Sequence, residues 1–472
     1  MLSLITFFLI ILVIGYLFVH RFLIVSTDGW PLFIFQCTLG VGLGFGITSG
    51  VTFLILFICG PSPWFIFTSD MAILICLLAL CITNSTAQIL SHFNKLALVQ
   101  FKQEKTCYFL LFNFSIVLIL SVFLFVSLTT LFPHGYWDAW SIWNLRARYL
   151  FRGGNNWTAV FSGLVSHAEY PYLVSASVFR GWTYCGKETL LVPVLFAALF
   201  TYATPGLLLS SLILARSVFQ GVIASLLLLG MPYFIEQGVS QYADIPLSFF
   251  ILATFILFYF QDRYGKYQQQ FIVFAGLTSG LACWTKNEGI LFLVSVFAGR
   301  FVVCTALKGW KENYRQIVFF LLGLSPFLIL LIYLKLQAPF NDIVYGSYNK
   351  MIFTFLQLVD PSRYTHILSQ FLEKGLFFHQ FIITPIPILL VYLILLGAKI
   401  EECDKAFLLF AAICLIMMLM GYFFIYVITP RELDWHLRTS LERLLLHLWP
   451  AFLFTFFLIL QTPEQYLYKK NI

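Results

Sequence analysis

The sequence predicts an all-α protein, a polytopic bundle of membrane-spanning helices. Of its 472 residues, 60% are hydrophobic and 10% are charged, and the mean hydropathy is +0.90. Soluble domains carry about 25% charged residues, so a chain this apolar needs lipid as its solvent. The 54 phenylalanines suit lipid-facing surfaces, and the 11 tryptophans and 23 tyrosines suit the aromatic belts at the two membrane faces.

Apolar stretches recur along the whole chain. A helix needs ~20 apolar residues to cross a bilayer, and about thirteen segments approach that length. The first has no basic region before it and no small-residue cleavage site after it, so we expect a retained helix and not a signal peptide. The Gly-rich stretch 39–50 is typical of a close-packed helix or of a broken one. The segments are 2–19, 33–58, 69–86, 108–131, 188–213, 217–233, 245–261, 271–285, 289–306, 316–335, 380–397, 406–428 and 445–461.

The chain reads as one membrane unit without a soluble domain. We expect N-terminal helices over 1–107, a core over 108–335 that contains the long loop 132–187, and a C-terminal part over 336–472. The ten cysteines lie mostly in apolar runs and show no CxxC or Cys/His metal spacing, so we expect no disulfide framework.

Positive charge sets the expected orientation. The net charge of +7 is therefore read as a topology signal, and no nucleic-acid partner is expected. Lys and Arg are dense in one set of short loops and diluted over longer loops opposite, which places the short loops in the cytoplasm. The N-terminus is then outside, and the polar segments 132–187, 235–244, 336–378 and 429–444 share the outer face with the turn 286–288. The basic residues of the short loops are Arg21, Lys95, Lys102, Lys105, Arg216, Arg263, Lys266, Lys308, Lys311, Arg315, Lys399, Lys405, Lys469 and Lys470.

Asp138 opens the first long outer loop and is followed by Arg146 and Arg148 at helical spacing. A carboxylate near the membrane surface is costly unless it has a partner or a function. The alternative is an interfacial aromatic belt beside a solvated acid, because tryptophans surround Asp138.

The segment 167–172, HAEYPY, predicts an ordered turn. Pro171 disfavours helix at Tyr170, so the turn presents His167 and Glu169. A purely structural turn is the alternative.

Two further charged motifs border predicted spans. Asp244 begins one span and is followed by Pro246, and Lys286 and Glu288 form the turn between two others. An acid at a helix N-terminus is also explained by the helix dipole, and the Lys–Glu turn is also explained as a plain hairpin.

The last predicted helix begins with several cations. In a helix, His436, Ser440 and Arg443 share one face. Cations at a helix N-terminus oppose the dipole, so an anion is expected nearby. A bound phosphate is one candidate, and the acids at 432, 434 and 442 are the other.

Together, these motifs indicate chemistry at the outer face. An acid acting as a base suits activation of a hydroxyl group, and clustered cations suit a phosphate or diphosphate leaving group. The combination favours group transfer from a lipid-linked phosphate donor.

The order of these motifs over residues 108–300 resembles the C-type superfamily of membrane glycosyltransferases, which includes protein O-mannosyltransferases and the bacterial aminoarabinose transferase acting on lipid A. Ala139 departs from the family's second acid, Tyr170 departs from the basic residue of the aminoarabinose transferase, and three spans precede the loop helix where the family usually has one. The matching features are Asp138, the stretch 147–150 (Ala-Arg-Tyr-Leu), Gly153-Gly154, Trp157, Glu169 before Pro171, Asp244 before Pro246, and Thr285-Lys286.

The resemblance implies an all-α bundle whose first outer loop carries short amphipathic helices over a cavity. It implies an inverting transfer from a polyprenyl-phosphate sugar to a hydroxyl or amine of a glycan, lipid or protein acceptor, at the outer face of a bacterial inner membrane. Asp138 would be the general base, and Glu169 and Asp244 would position the acceptor or a divalent cation, whose presence stays open. The remaining expected substrate-binding residues are Arg146, Arg148, His167, Tyr170, Lys286, Glu288, His436 and Arg443.

Three other functions compete with this interpretation. A transporter or flippase of lipid-linked or anionic substrates should carry charges inside its spans, where Arg300 is the exception in an otherwise apolar set. An O-antigen polymerase or ligase would depend on a late outer loop rich in Arg and His, such as 429–450. A subunit without catalysis would tolerate loss of all the outer acids.

Overall fold

The computed structural model describes residues 1–23, 29–82, 105–162, 165–264, 268–338, 354–378 and 385–462. The described residues are helical apart from turns and one isolated bridge between Ala398 and Leu460, which confirms the all-α prediction. Five lysines of the orientation argument lie outside the described residues, namely Lys95, Lys102, Lys266, Lys469 and Lys470. The helices are α1 (Leu2–Phe22), α2 (Trp30–Cys59), α3 (Pro63–Ile82), α4 (Lys105–Leu131), α5 (Asn144–Arg152), α6 (Leu173–Cys185), α7 (Leu191–Ala215), α8 (Val218–Leu229), α9 (Pro232–Val239), α10 (Asp244–Arg263), α11 (Gln268–Thr285), α12 (Glu288–Lys308), α13 (Trp310–Gln337), α14 (Pro361–Phe377), α15 (Pro385–Leu396), α16 (Lys405–Ile428) and α17 (Leu433–Ile459).

Ten of the described helices are long and apolar enough to cross a membrane, so the chain is a multi-pass membrane protein. They are α1 to α4, α7, α10, α12, α13, α16 and α17. The other three predicted spans take different forms. Helices α8 and α9 meet at a 63° bend, and counting them as one span gives eleven. Helix α11 opens with three glutamines, and α15 is a shorter apolar helix.

Helix α10 is the centre of the bundle. From residue 245 to residue 260 it is apolar apart from Ser248 and Thr254, and it is buried from Asp244 to Gln261. A helix that is hydrophobic all round must be covered on all sides, and α7, α11 and α17 pack against it. The centre of the fold therefore holds Asp244 at one end of α10.

The Gly-rich stretch of α2 forms a continuous, close-packed helix. A Cβ atom on Gly15 of α1 would lie 1.9 Å from the carbonyl oxygen of Gly40 in α2. The same kind of contact joins α13 and α11, where a Cβ on Gly323 would lie 1.8 Å from the oxygen of Val273. Small residues let helix backbones approach this closely in membranes.

The loop 132–187 contains a π-helical turn (Ala139–Trp143), α5, a 3-10 segment (Gly154–Phe161) and α6. Helix α6 is not a surface element, because it is buried from Leu173 to Thr183 and packs against α1, α2 and α5. Its buried Arg180 forms an ion pair of 2.5 Å with Asp70 of α3. The pair offsets the cost of placing each charge inside the protein and fixes the loop to the bundle.

Helices α14 and α15 follow α17 along its length. Lys374 lies 2.9 Å from Glu442, and the rings of Phe378 and Trp449 are 5.1 Å apart. Further along, the rings of Tyr392 and Phe457 are 5.5 Å apart. The segment predicted as a span at 380–397 is therefore preceded by an amphipathic helix that runs beside the same neighbour.

Candidate functional site

Asp244 lies at the centre of a buried network at one end of the bundle. Its Oδ1 atom is 3.0 Å from Nζ of Lys286 and 2.7 Å from Nε2 of His447. Its Oδ2 atom is 3.9 Å from Nη1 of Arg443. The carboxylate is 1% exposed, so it is a buried acceptor for Lys286 and His447, with the guanidinium of Arg443 close by.

Arg443 connects Asp244 to Asp138. Nη1 of Arg443 donates to Oδ2 of Asp138 over 2.6 Å, and the guanidinium lies 5.1 Å from the centre of the Tyr242 ring. The backbone N–H of Asp138 donates to the Tyr242 hydroxyl over 3.1 Å. The two aspartates that sequence reasoning placed on one face therefore share a single guanidinium.

Lys286 extends the network to Glu288 at a distance of 2.8 Å. Burial disfavours the charged ammonium group, but the carboxylates of Asp244 and Glu288 outweigh it and raise the pKa of Lys286 above its usual range. Three carboxylates and two cations thus alternate in the order Asp138, Arg443, Asp244, Lys286, Glu288. We name these five residues the charged array.

The turn before α10 holds the start of the loop 132–187 beside the charged array. The Asn144 side chain donates to the Gln241 side chain over 3.0 Å, and Gln241 donates to the carbonyl of Pro133 over 3.2 Å. The N–H of Tyr136 donates to the carbonyl of Ser240 over 3.2 Å. These bonds hold both ends of the segment that carries Asp138.

The turn containing Glu169 lies beside the 286–288 turn. Nζ of Lys335 donates to the Glu169 carbonyl and to the Asn287 side chain, each over 2.7 Å. Nδ1 of His167 is 3.6 Å from Oε1 of Glu169, and the His167 ring stacks on Tyr170 at 4.6 Å. Burial raises the pKa of the Glu169 carboxyl, but His167 and the charge of Lys335 outweigh it and hold that pKa below its usual value.

Tyr170 is a residue of the Glu169 turn, and its ring packs against neighbouring aromatic rings. Burial raises the pKa of its hydroxyl above the usual range, and the charge of Glu288 adds to the effect. Its ring also stacks on Trp143 at 5.6 Å, so it packs the Glu169 turn against the π-helical turn of the same loop.

Arg146 supports the Glu169 turn from beneath. It is fully buried and donates to the backbone carbonyls of Tyr170 and Pro171. Its guanidinium lies 3.9 Å from the centre of the Tyr172 ring, and its Nε atom has no hydrogen-bond partner among the described residues. Arg146 thus holds the turn through hydrogen bonds to uncharged backbone carbonyl groups and does not contact the charged array.

Arg148 and His436 are not brought into the charged array. Within the described chain, the ion pair of Arg148 is with Glu188, at 3.4 Å. Nδ1 of His436 is 2.9 Å from the Thr429 hydroxyl, and its ring lies 4.8 Å from that of Tyr426. Both residues were predicted to bind substrate, but these contacts are with residues outside the charged array.

The negative charge expected near Arg443 comes from carboxylates of the protein itself. The candidates at 432, 434 and 442 have other partners: Glu432 caps α17, Asp434 lies 2.6 Å from His366, and Glu442 pairs with Lys374. Arg443 is instead neutralised by Asp138 and Asp244.

Sequence reasoning missed His447, Tyr422 and Lys335. His447 is fully buried, and its Nδ1 atom lies 3.2 Å from the Tyr422 hydroxyl. It follows Arg443 by four residues, so it lies on the same helix face, and this spacing was the available signal. Lys335 ends a long apolar helix, where a basic residue is ordinarily read as an interfacial anchor.

The donor set does not favour a divalent cation. Oδ1 of Asp244 is taken by Lys286 and His447, and Oδ2 of Asp138 is taken by Arg443. A cation would have to displace two protein cations from these oxygens. Among the described residues, the one group with metal-like ligand spacing is Glu401, Cys403 and Asp404, whose carboxylates pair with Arg216 and Arg263.

The charged array, with the Glu169 turn beside it, can accept a proton at one end and neutralise a developing negative charge along its length. We compared the chain with models of protein families, with curated proteins and with solved structures, and no match was found in any of the three. The case for a function therefore rests on the geometry of the charged array and the turns around it.

Proposed function

We propose that the protein is a membrane glycosyltransferase. It would move a sugar from a polyprenyl-phosphate-linked donor to a hydroxyl or amine acceptor of a glycan, lipid or protein. The observation that carries this proposal is the arrangement of two acids around the same cations. Asp138 is accessible to solvent, whereas the buried Asp244 holds Arg443 and Lys286 in place. The Asp138 side chain is 27% exposed, whereas that of Asp244 is 1% exposed.

Asp138 is assigned the role of general base. Its Oδ2 atom is held by Arg443, and its Oδ1 atom has no hydrogen-bond partner among the described residues. Oδ1 would take the proton of the acceptor hydroxyl while the acceptor oxygen forms a bond to the anomeric carbon. The bond between that carbon and the phosphate oxygen breaks, and the polyprenyl phosphate leaves with the electron pair, which inverts the anomeric centre.

Arg443 and Lys286 are assigned to the leaving phosphate. Both are held in place by Asp244, so little reorganisation is needed when negative charge develops. Fixed charges of this kind are worth more in a buried site than in water. Glu169, oriented by His167 and Lys335, would position the acceptor.

The membrane context follows from the same proposal. The charged array would face the outside of a bacterial inner membrane, where the donor lipid reaches it from the bilayer. The dense positive charge in the opposite loops supports this orientation.

The test is a comparison of lipid and glycan products in cells that carry Asp138→Asn or Asp434→Asn. Asp434 is an acid on the same outer side, and its side chain is 74% exposed, so it is a matched control. We expect Asp138→Asn to reduce the product at least ~100-fold and Asp434→Asn to leave it unchanged. Unchanged products in Asp138→Asn cells would overturn the base assignment.

The bent pair α8–α9 favours one alternative, a transporter or flippase of lipid-linked or anionic substrates. Broken helices are a common feature of transporter substrate sites, and α9 packs directly on α10. A transporter would leave chemically unaltered substrate on the cytoplasmic side of mutant cells, whereas the transferase would leave unused donor on the outer side. An O-antigen polymerase or ligase would tolerate amides at both Asp138 and Glu169.

A further inference from the structure

His447 connects the charged array to the interior of the bundle. It lies on α17 one helical turn after Arg443 and is fully buried. The Ser248 hydroxyl of α10 donates to the carbonyl of Leu446 over 3.2 Å, which fixes this turn of α17 against the helix that carries Asp244. The His447 ring is therefore held beside the Asp244 carboxylate by the backbone of two packed helices.

The two ring nitrogens of His447 have different partners, and these partners define the tautomer of the ring. Nε2 lies 2.7 Å from Oδ1 of Asp244. An ionised carboxylate only accepts hydrogen bonds, so Nε2 carries a proton. Nδ1 lies 3.2 Å from the hydroxyl of Tyr422, which is 1% exposed. In a neutral imidazole, Nδ1 accepts from this hydroxyl, and a chain of donors runs from Tyr422 through His447 to Asp244.

A neutral ring fits this position better than a charged one. The side chains of Lys286 and Arg443 lie 3.0 and 3.9 Å from the Asp244 carboxylate, so two protein cations already face it. A third cation buried beside them would cost free energy, because it would lose its hydration and be repelled by both neighbours. His447 thus gives Asp244 a hydrogen bond without adding charge.

We propose that His447 is a positioning residue that prepares Lys286 and Arg443 for the leaving phosphate, which rests on the proposed function. Its Nε2–H group shares Oδ1 of Asp244 with the ammonium group of Lys286. Loss of this hydrogen bond would leave the carboxylate to bind its two cations more closely, so both would be less available to phosphate. With the bond in place, the two cations are fixed before the phosphate arrives.

The tautomer is the first test, because a histidine that only fills the core need not adopt it. The full-length protein, with isotope-labelled histidine, is measured by nitrogen NMR, and the His447 signals are identified by their loss in His447→Gln. We expect a neutral ring that is protonated on Nε2 and unprotonated on Nδ1. A ring with a proton on Nδ1, whether neutral or charged, would overturn the proposal.

The second test measures how strongly the purified full-length protein retains undecaprenyl phosphate over undecaprenol, by native mass spectrometry. The two probes share a polyprenyl chain and differ in the phosphate group. We expect wild type to prefer the phosphate, and His447→Gln to do so as well because it keeps an N–H donor near the position of Nε2. His447→Phe should lower the preference about tenfold, the effect of one hydrogen bond to a charged group.

The matched control is His366→Phe. His366 also contacts a carboxylate, that of Asp434 at 2.6 Å, but both side chains are exposed, so this variant should keep the wild-type preference. An undiminished preference in folded His447→Phe, or equal losses in His447→Gln and His447→Phe, would overturn the positioning role and leave the proposed function standing. No preference in wild type would overturn both. The tautomer measurement does not depend on whether His447→Phe folds.

Discussion

Arg443 and Asp138 are 305 residues apart in the sequence and lie 2.6 Å apart in the structure. The ion pair joins the last membrane-spanning helix to the first long loop, and Asp244 lies on its other side. Residues from three distant parts of the chain therefore depend on one guanidinium group. Arginine suits this position because its planar group can engage two carboxylates at once.

The first prediction concerns the geometry of that bridge. Arg443→Lys keeps the charge but cannot reach Asp138 and Asp244 together, so activity should fall by ~100-fold. Arg443→Met leaves both carboxylates short of a partner and should lower the free energy of unfolding by roughly 3 kcal/mol. Thermal unfolding and product assays would measure both effects. Arg438→Lys, exposed on the same helix, is the control, and an equal loss from it would contradict the assignment.

The second prediction concerns His447, which contacts the same Oδ1 atom of Asp244 as Lys286 does. His447→Phe removes one hydrogen bond to a buried carboxylate and should cost about 1–3 kcal/mol of stability. His447→Gln retains a donor, so its loss should be smaller. Tyr422→Phe removes the contact to Nδ1 and should also destabilise the protein. Indistinguishable unfolding temperatures for His447→Phe and wild type would show that the bond contributes nothing.

The third prediction is a pH dependence due to Glu169. Its folded-state pKa is lowered, so its contribution to stability is present above the unfolded-state pKa of about 4.3. That contribution disappears as the pH falls through the folded-state value. Wild type should therefore exceed Glu169→Gln in unfolding temperature at pH 7, and the two should converge in acid. Glu373→Gln, at an exposed acid of α14, is the control, and a gap that widened in acid would contradict the sign.

The fourth prediction concerns the contact between α1 and α2. Gly15→Ala places a Cβ atom 1.9 Å from a backbone oxygen, and the helices must separate to admit it. Overpacking of this kind costs about 1–3 kcal/mol, so the monodisperse fraction in size-exclusion chromatography should fall. Gly375→Ala has nothing within 4 Å and should be neutral or slightly stabilising. Equal profiles for the two variants would contradict the close contact.

The sequence was most informative where hydrophobicity is continuous. In a membrane, the backbone N–H and C=O groups of a long apolar run find their hydrogen-bond partners in a helix. Ten of the predicted spans are long and apolar enough to cross a membrane. The count differs where a span is interrupted. Pro232 lacks the N–H group that would continue α8, and the first three residues of α11 are polar.

The candidate site was predictable in part, because acids at helix ends are visible in an apolar sequence. Asp138, Asp244 and Lys286 stand out for this reason. His447 does not, since a lone histidine in an apolar run is read as a core residue. Arg180 and Asp70 were also missed. Asp70 lies inside the predicted span 69–86, so Arg300 is not the only charged residue within the spans, and neither a loop arginine nor an aspartate within a span reveals its partner. Such pairings depend on tertiary packing, which one sequence does not display.

Because α10 is buried on every side, the acids of the candidate site differ in how easily their backbone can move. Asp244 is attached to the best-packed element of the protein, so it cannot shift without disturbing the bundle. Glu169, beside the charged array, lies in a turn, where local rearrangement is less costly. An incoming molecule would thus meet a fixed carboxylate at Asp244 and a less constrained one at Glu169. Substitutions in the Glu169 turn should therefore alter which molecules are accepted more readily than whether the protein folds.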